Sequence, residues 1–274
     1  MVSVEAFAPL YSDYLPALLT PVHGLFCPIG VLDVYGAIRL SVAVNWIASD
    51  TKGKPRASAL QELFGIMVVL YGGETFIGCC TGQPPSWLIN PSLGLVFGAI
   101  HLLLTRTPLH GLLPTKPSFG TELALAVPDA IGRTLLLTRF SVVPLLHPTS
   151  PKTLPATPST LLLVPFIMAV PFAAVVFSGT QLFSPAITLQ TPNELRPWGW
   201  TALDAWIPFV LPSLFLSLIA PVKGWPFSLG TDYSEDAAIV VCAALNIVFF
   251  VSRAYYNHAP KAAKSPKAKK VKKQ

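Results

Sequence analysis

The stretch VVLYGGETFIG, Val68 to Gly78, places a carboxylate and a hydroxyl, Glu74 and Thr75, directly after two adjacent glycines in an otherwise apolar run. Oxygen donors beside loosened backbone are the groups that replace the hydration shell of a small cation in a narrow passage. A second stretch, VVFSGTQ from Val175, has the same character, with Gly179 followed by Thr180 and Gln181. Glycine costs a helix about 1 kcal/mol relative to alanine, and an acidic side chain at bilayer depth costs about 2.5–3.5 kcal/mol on insertion scales. The pattern therefore predicts paired helix breaks at Gly72, Gly73 and Gly179, with polar groups turned toward a water-filled path. The bland alternative is that the glycines only let helices cross closely, which leaves Glu74 unexplained.

Charged residues recur in the same way. LDVYGAIRL carries Asp33, Gly36 and Arg39, and PDAIGRTLL carries Asp129, Gly132 and Arg133, with Arg139 further on. Arginines at this depth face lipid phosphates or respond to voltage, since one charge moved across 100 mV is worth about 2.3 kcal/mol. The alternative is internal pairing with Asp33, Asp129 or Glu62. Catalytic constellations do not emerge. His23, His101, His110, His147 and His258 lack ligand spacing and read as interfacial or loop residues, and no P-loop, Gly-x-Ser-x-Gly or Cys-x-x-Cys motif is present. The four cysteines read as buried small side chains, without metal-ligand spacing. No enzyme and no metal site is expected.

The elements that must position these residues are membrane helices. Hydrophobic residues make up 52% of the 274-residue chain and charged residues only 12%, about half the share of a soluble domain; the mean hydropathy is +0.58. Apolar runs of about 17–25 residues lie near 26–48, 59–80, 88–105, 120–143, 160–181, 203–221 and 237–256. The fold class expected is an all-α integral membrane protein with seven transmembrane helices. Breakers such as Pro165, Pro171, Pro208 and Pro212 are tolerated only where neighbouring helices or a cavity satisfy the freed backbone, so the spans form a packed bundle.

Basic loops set the orientation. Lys52, Lys54 and Arg56, then Arg106 and Lys116, then Arg196 and the lysine-rich tail fall on one side. The alternate loops hold only Lys152 and Lys223, and the last is acidic with Asp232, Glu235 and Asp236. The C-terminus is thereby expected in the cytosol. The N-terminal arm, residues 1–25, which lacks the basic start of a signal peptide, is expected in the lumen. In the tail, 259–274, Lys270 and Lys272 match a dilysine retrieval signal of the K-x-K-x-x kind, pointing to the endoplasmic reticulum membrane. The alternative is a solvated basic tail near anionic lipid. Its lysines lack interleaved aromatics, so no nucleic-acid partner is expected.

Residues 26–258 read as one domain with internal repetition. Asp33/Gly36 and Asp129/Gly132 recur about one hundred residues apart, and VVLYGG at Val68 is echoed by VVFSGT at Val175. Three spans separate the equivalents, so the copies, about 26–105 and about 120–221, face opposite ways: an inverted 3+3 repeat plus a seventh helix at 237–256. Inverted repeats place ion paths at their interface, built from interrupted helices.

With these features the chain resembles the trimeric intracellular cation channels, the TRIC family. ALQELFGIMVVLYGGETFIGCCTGQP is similar to that family's second span, with its glycine kink and Gly82-Gln83-Pro84 exit; TRTPLHGLLPTKPSF resembles the loop from span three to four, and FSGTQLFSPAITLQTPNELR resembles the end of span five with the loop after it. The resemblance implies a potassium-permeable, monovalent cation channel, a homotrimer with a pore in each protomer lined by the second and fifth helices, giving counter-ion flux that supports calcium release. It also implies a bound phosphoinositide lipid, at the position of Arg39, Arg133 and Arg139. The animal-type string Lys-Glu-Val-x-Arg-x-x-Lys in span four is replaced here by PDAIGRTLLLTRF. Two other classes stay open: a seven-span small-solute transporter, whose extra span would lie between parallel repeats, and a non-transporting membrane scaffold, which would not need Glu74 or intramembrane arginines.

Overall fold

The computed structural model describes residues 4–23, 27–49, 56–192, 202–219, 222 and 225–258. Seven principal helices order these residues: α1 Val31–Ser49, α2 Ala59–Thr81, α3 Ser92–Arg106, α4 Phe119–Leu137, α5 Pro158–Ala169, α6 Leu203–Leu218 and α7 Glu235–His258. Four helical stretches are long and apolar enough to cross a membrane: Val31–Ala48, Ala59–Thr81, Pro158–Gly179 and Glu235–His258. At 1.5 Å per residue, α2 is about 35 Å long against a hydrocarbon core of about 30 Å. Helices α3 and α6 are apolar but shorter, and α4 carries Glu122, Asp129 and Arg133 along its length. The protein is a mostly helical membrane protein.

Local sequence explains where the helices begin and end. Ser58 caps α2 by accepting from the Gln61 amide, and Gly82 ends it in the left-handed region at φ 66°. Capping boxes start α4 (Ser118 with Thr121) and α5 (Thr157 with Thr160, Pro158 in the first turn). Some ends differ from the hydropathy reading. Residues Cys27–Gly30 pair antiparallel with Pro21–His23 rather than opening the first helix, so α1 starts at Val31. Helix α4 stops at Leu137, whereas the apolar run continues to 143, because Thr138 to Val142 fold into turns.

The break expected in the second span is not there. Helix α2 is uninterrupted from Ala59 to Thr81, through Gly72 and Gly73. The fifth, expected to break at Gly179, is interrupted earlier, at Pro171: α5 ends at Ala169, the chain resumes as Pro171–Ala174 and closes in a wide π-type turn, Val175–Gly179. Pro171 has no N–H to give the carbonyl four residues back and its ring crowds that carbonyl, whereas glycine in α2 costs propensity without preventing any hydrogen bond.

Two cores form. One joins α4, α5, α6 and α7 around Leu161, Leu211, Phe215 and Phe250. The other joins α1, α2 and α3 around Val44, Ile66 and Phe97, and takes in Val176 and Phe183 from the end of the fifth stretch. The interrupted segment is the part of the second half that plugs into the first.

Candidate functional site

Helices α2 and α5 meet along a glycine face. A Cβ built on Gly73 would lie 2.6 Å from the Ile167 carbonyl oxygen and 2.6 Å from Met168 Cα. A Cβ on Gly72 would run into the Phe172 ring, and one on Gly65 would lie 2.7 Å from the Phe183 ring. Ile167 is also the residue whose carbonyl loses its donor at Pro171. Glycines about two turns apart on α2 therefore receive backbone at 167–168 and aromatic side chains at 172 and 183.

Glu74 faces a cavity of about 270 Å³ with a mixed polar and apolar lining, which α2 shares with the chain after α4 and with α5, through Thr81, Ser141, Ser150, Val164 and Met168. Its carboxylate accepts from the Ser86 amide and, at 2.8 Å, from the Ser86 hydroxyl. The neighbouring Thr75 hydroxyl accepts from Trp87 Nε1 at 3.0 Å. At the rim of the same region Lys152 Nζ donates to the Gly82 carbonyl at 3.0 Å. Glu74 is thus the carboxylate of a mixed-lined hollow between two helices, held in place along one edge.

The second half of the predicted set lies elsewhere. Gly179 has Ala174 and Pro192 as its nearest neighbours, so the two glycine sites do not oppose each other. The Thr180 hydroxyl and amide both bond the Val175 carbonyl, at 2.9 and 2.7 Å. Gln181 has φ 49° and accepts from the Thr188 hydroxyl at 2.7 Å. These residues finish the fifth stretch and turn the chain.

The arginines are drawn inward. Asp129 takes Arg39 at 2.7 Å and Arg133 at 3.4 Å; Asp204 takes Arg133 at 2.6 Å and Arg253 at 2.9 Å. Arg133 and Arg253 lie 5.4 and 4.4 Å from the Phe250 ring centroid, a cation–π geometry. This network ties α1 to α4, α6 and α7. Arg139 is half-exposed, 4.0 Å from Glu235. Asp33 makes no ion pair among the described residues; it accepts from the Gly30 amide at 3.2 Å at the start of α1, which corrects its expected role. Lys270 and Lys272 lie outside the described residues.

A second charged centre was not foreseen. The Glu62 carboxylate is fully buried and holds Arg56 Nε at 2.6 Å, Arg106 at 2.9 Å and His101 Nε2 at 3.0 Å. His101 also reaches Ser41 at 3.3 Å, and Arg56 reaches Asn45 at 3.1 Å. His101 is therefore no interfacial histidine; it is buried between α1, α2 and α3. The available signal was an acid near the start of one apolar run, Glu62, and a histidine and an arginine near the end of the next, His101 and Arg106. The cysteines also differ from expectation: Cys242 is buried, but Cys79 and Cys80 are exposed at the end of α2.

No family model matches the chain, and no curated protein matches it.

Proposed function

We propose that the protein is a potassium-permeable, monovalent cation channel of an intracellular membrane. In this reading it has seven spans with an inverted repeat, works as a homotrimer in the endoplasmic reticulum and supplies counter-ion flux during calcium release. The observation that carries the reading is the α2–α5 contact. There a helix interrupted at Pro171 turns a donor-deprived carbonyl toward Gly73, one residue from a carboxylate that lines a cavity between the two helices. Interrupted helices with free carbonyls and nearby acids are how membrane proteins hold small cations without water. The two cores, one built mainly from α1–α3 and the other from α4–α7, agree with a chain built of two halves. The resemblance of residues 26–258 to the trimeric cation channels points the same way.

Internal pairing of Arg39 and Arg133 removes two of the three arginines proposed for phosphoinositide, leaving Arg139 as the residue whose charge is most open to a headgroup. The glycine sockets filled by Phe172 and Phe183 favour a second reading, a non-transporting scaffold whose glycines serve packing alone. Purified protein in liposomes under a potassium gradient separates the two. The channel reading expects a cation current that Gly73→Leu abolishes; protein that inserts and assembles yet passes no current supports the scaffold.

A further inference from the structure

The chain after the interrupted helix is bent and fastened at a few points. The π-type turn Val175–Gly179 and the left-handed Gln181, φ 49°, are both uncommon backbone states that persist only while surrounding contacts hold them. Between them and Pro192 the chain folds back on itself: the Thr188 amide donates to the Thr180 carbonyl at 3.1 Å and the Gln190 amide to the Gly179 carbonyl at 2.8 Å.

This folded piece is fastened to the first half by the Gln61 side chain and by Val176, Phe177, Leu182 and Phe183, which pack in the core around Ile66. Gln61 Nε2 donates to the Leu182 carbonyl at 2.6 Å and the Ser184 carbonyl at 2.9 Å. Phe183, fully buried, sits against Gly65 one turn further along α2. The anchor end is rigid, because Glu62, next to Gln61, is clamped by Arg56, Arg106 and His101. The fastened end has no charge holding it to α2 among the described residues.

We infer that residues 175–190 form a hinged strap, with the π-type turn and Gln181 as its hinges and Gln61 as its latch. Release of the two Gln61 hydrogen bonds lets Phe183 leave the Gly65 socket and frees the lower part of the α2–α5 contact. Because neutral hydrogen bonds are weak beside a buried ion pair, the latch yields while the Glu62 centre holds. The strap gives the proposed cation path a closing element, and that consequence alone rests on the channel reading.

Hydrogen–deuterium exchange of the full chain in lipid nanodiscs tests the strap directly. Gln61→Leu, which keeps the Ser58 cap, is expected to speed exchange about tenfold at Thr180, Leu182, Ser184, Thr188 and Gln190 and to leave α3 and α7 unchanged. Unchanged exchange in Gln61→Leu overturns the strap, and so does a rise spread evenly over α2 and α3. Faster strap exchange with no potassium flux in either protein keeps the strap and rejects the channel.

Discussion

Gly73 on α2 and Ile167 on α5 meet backbone against backbone, with room for a hydrogen at Gly73 but not for a methyl group. The contact exists because Pro171 withholds an N–H from the Ile167 carbonyl and because glycine lets another chain approach that oxygen. A sequence feature in each half of the protein is needed for it.

Substitutions at the two glycines should therefore behave differently. Gly73→Ala forces backbone apart and is expected to lower stability by about 1–3 kcal/mol. At Gly72 the obstacle is the Phe172 side chain, so Gly72→Ala with Phe172→Leu should recover most of the loss seen in Gly72→Ala alone. Thermal unfolding in detergent, followed by size-exclusion fluorescence, reads both.

Removing one member of the Glu62 centre leaves the others stranded. Glu62→Gln leaves two guanidiniums without their anion, and a loss of about 3–5 kcal/mol is expected, as for other broken buried pairs. Adding Arg106→Leu to Glu62→Gln should restore part of it, since the remaining charge is smaller. The same thermal assay applies, and equal stability of single and double variants would contradict the ionic account.

The Arg39–Asp129 pair bridges the two halves. A double-mutant cycle with Arg39→Met and Asp129→Asn is expected to give a coupling of about 0.5–3 kcal/mol. Arg39→Met combined with Glu235→Gln, which belongs to the Arg139 and His147 group, should give none.

Glu74 is the test of electrostatics in the proposed path. Glu74→Gln is expected to reduce potassium conductance at low salt and to leave it nearly unchanged at about 1 M salt, where the Debye length falls to about 3 Å. Ser86→Ala, which removes a hydroxyl donor but leaves the charge, should retain the wild-type salt dependence. Planar-bilayer recordings over a salt series distinguish the two.

Orientation and residence are tested in cells. A glycosylation acceptor near Lys152 should be modified in microsomes and one between Lys52 and Arg56 should not. Replacing Lys270 and Lys272 by serine should move a tagged protein out of the endoplasmic reticulum, whereas replacing Lys261 and Lys264 should not. Identical distribution of the two tail variants would leave only a solvated tail.

Hydropathy alone determined that the chain is a helical membrane protein and where its helices lie, because a run of apolar side chains reports its own burial without reference to any partner. The caps are equally local, since Ser58, Ser118 and Thr157 act on amides three residues away, but hydropathy does not mark them and the structure supplied them. Which glycine breaks a helix was not legible. Gly72, Gly73 and Gly179 look alike in sequence, yet α2 runs uninterrupted and the fifth stretch breaks, since Pro171 removes a hydrogen bond and glycine does not. Partner choice among charges was decided only in three dimensions. Arg39, Arg133 and Arg253 reach Asp129 and Asp204 from three different helices, and Glu62 collects Arg56, His101 and Arg106 across gaps of up to 44 residues. Charge is a property of one residue, but the low-dielectric position that makes pairing obligatory belongs to the packed bundle.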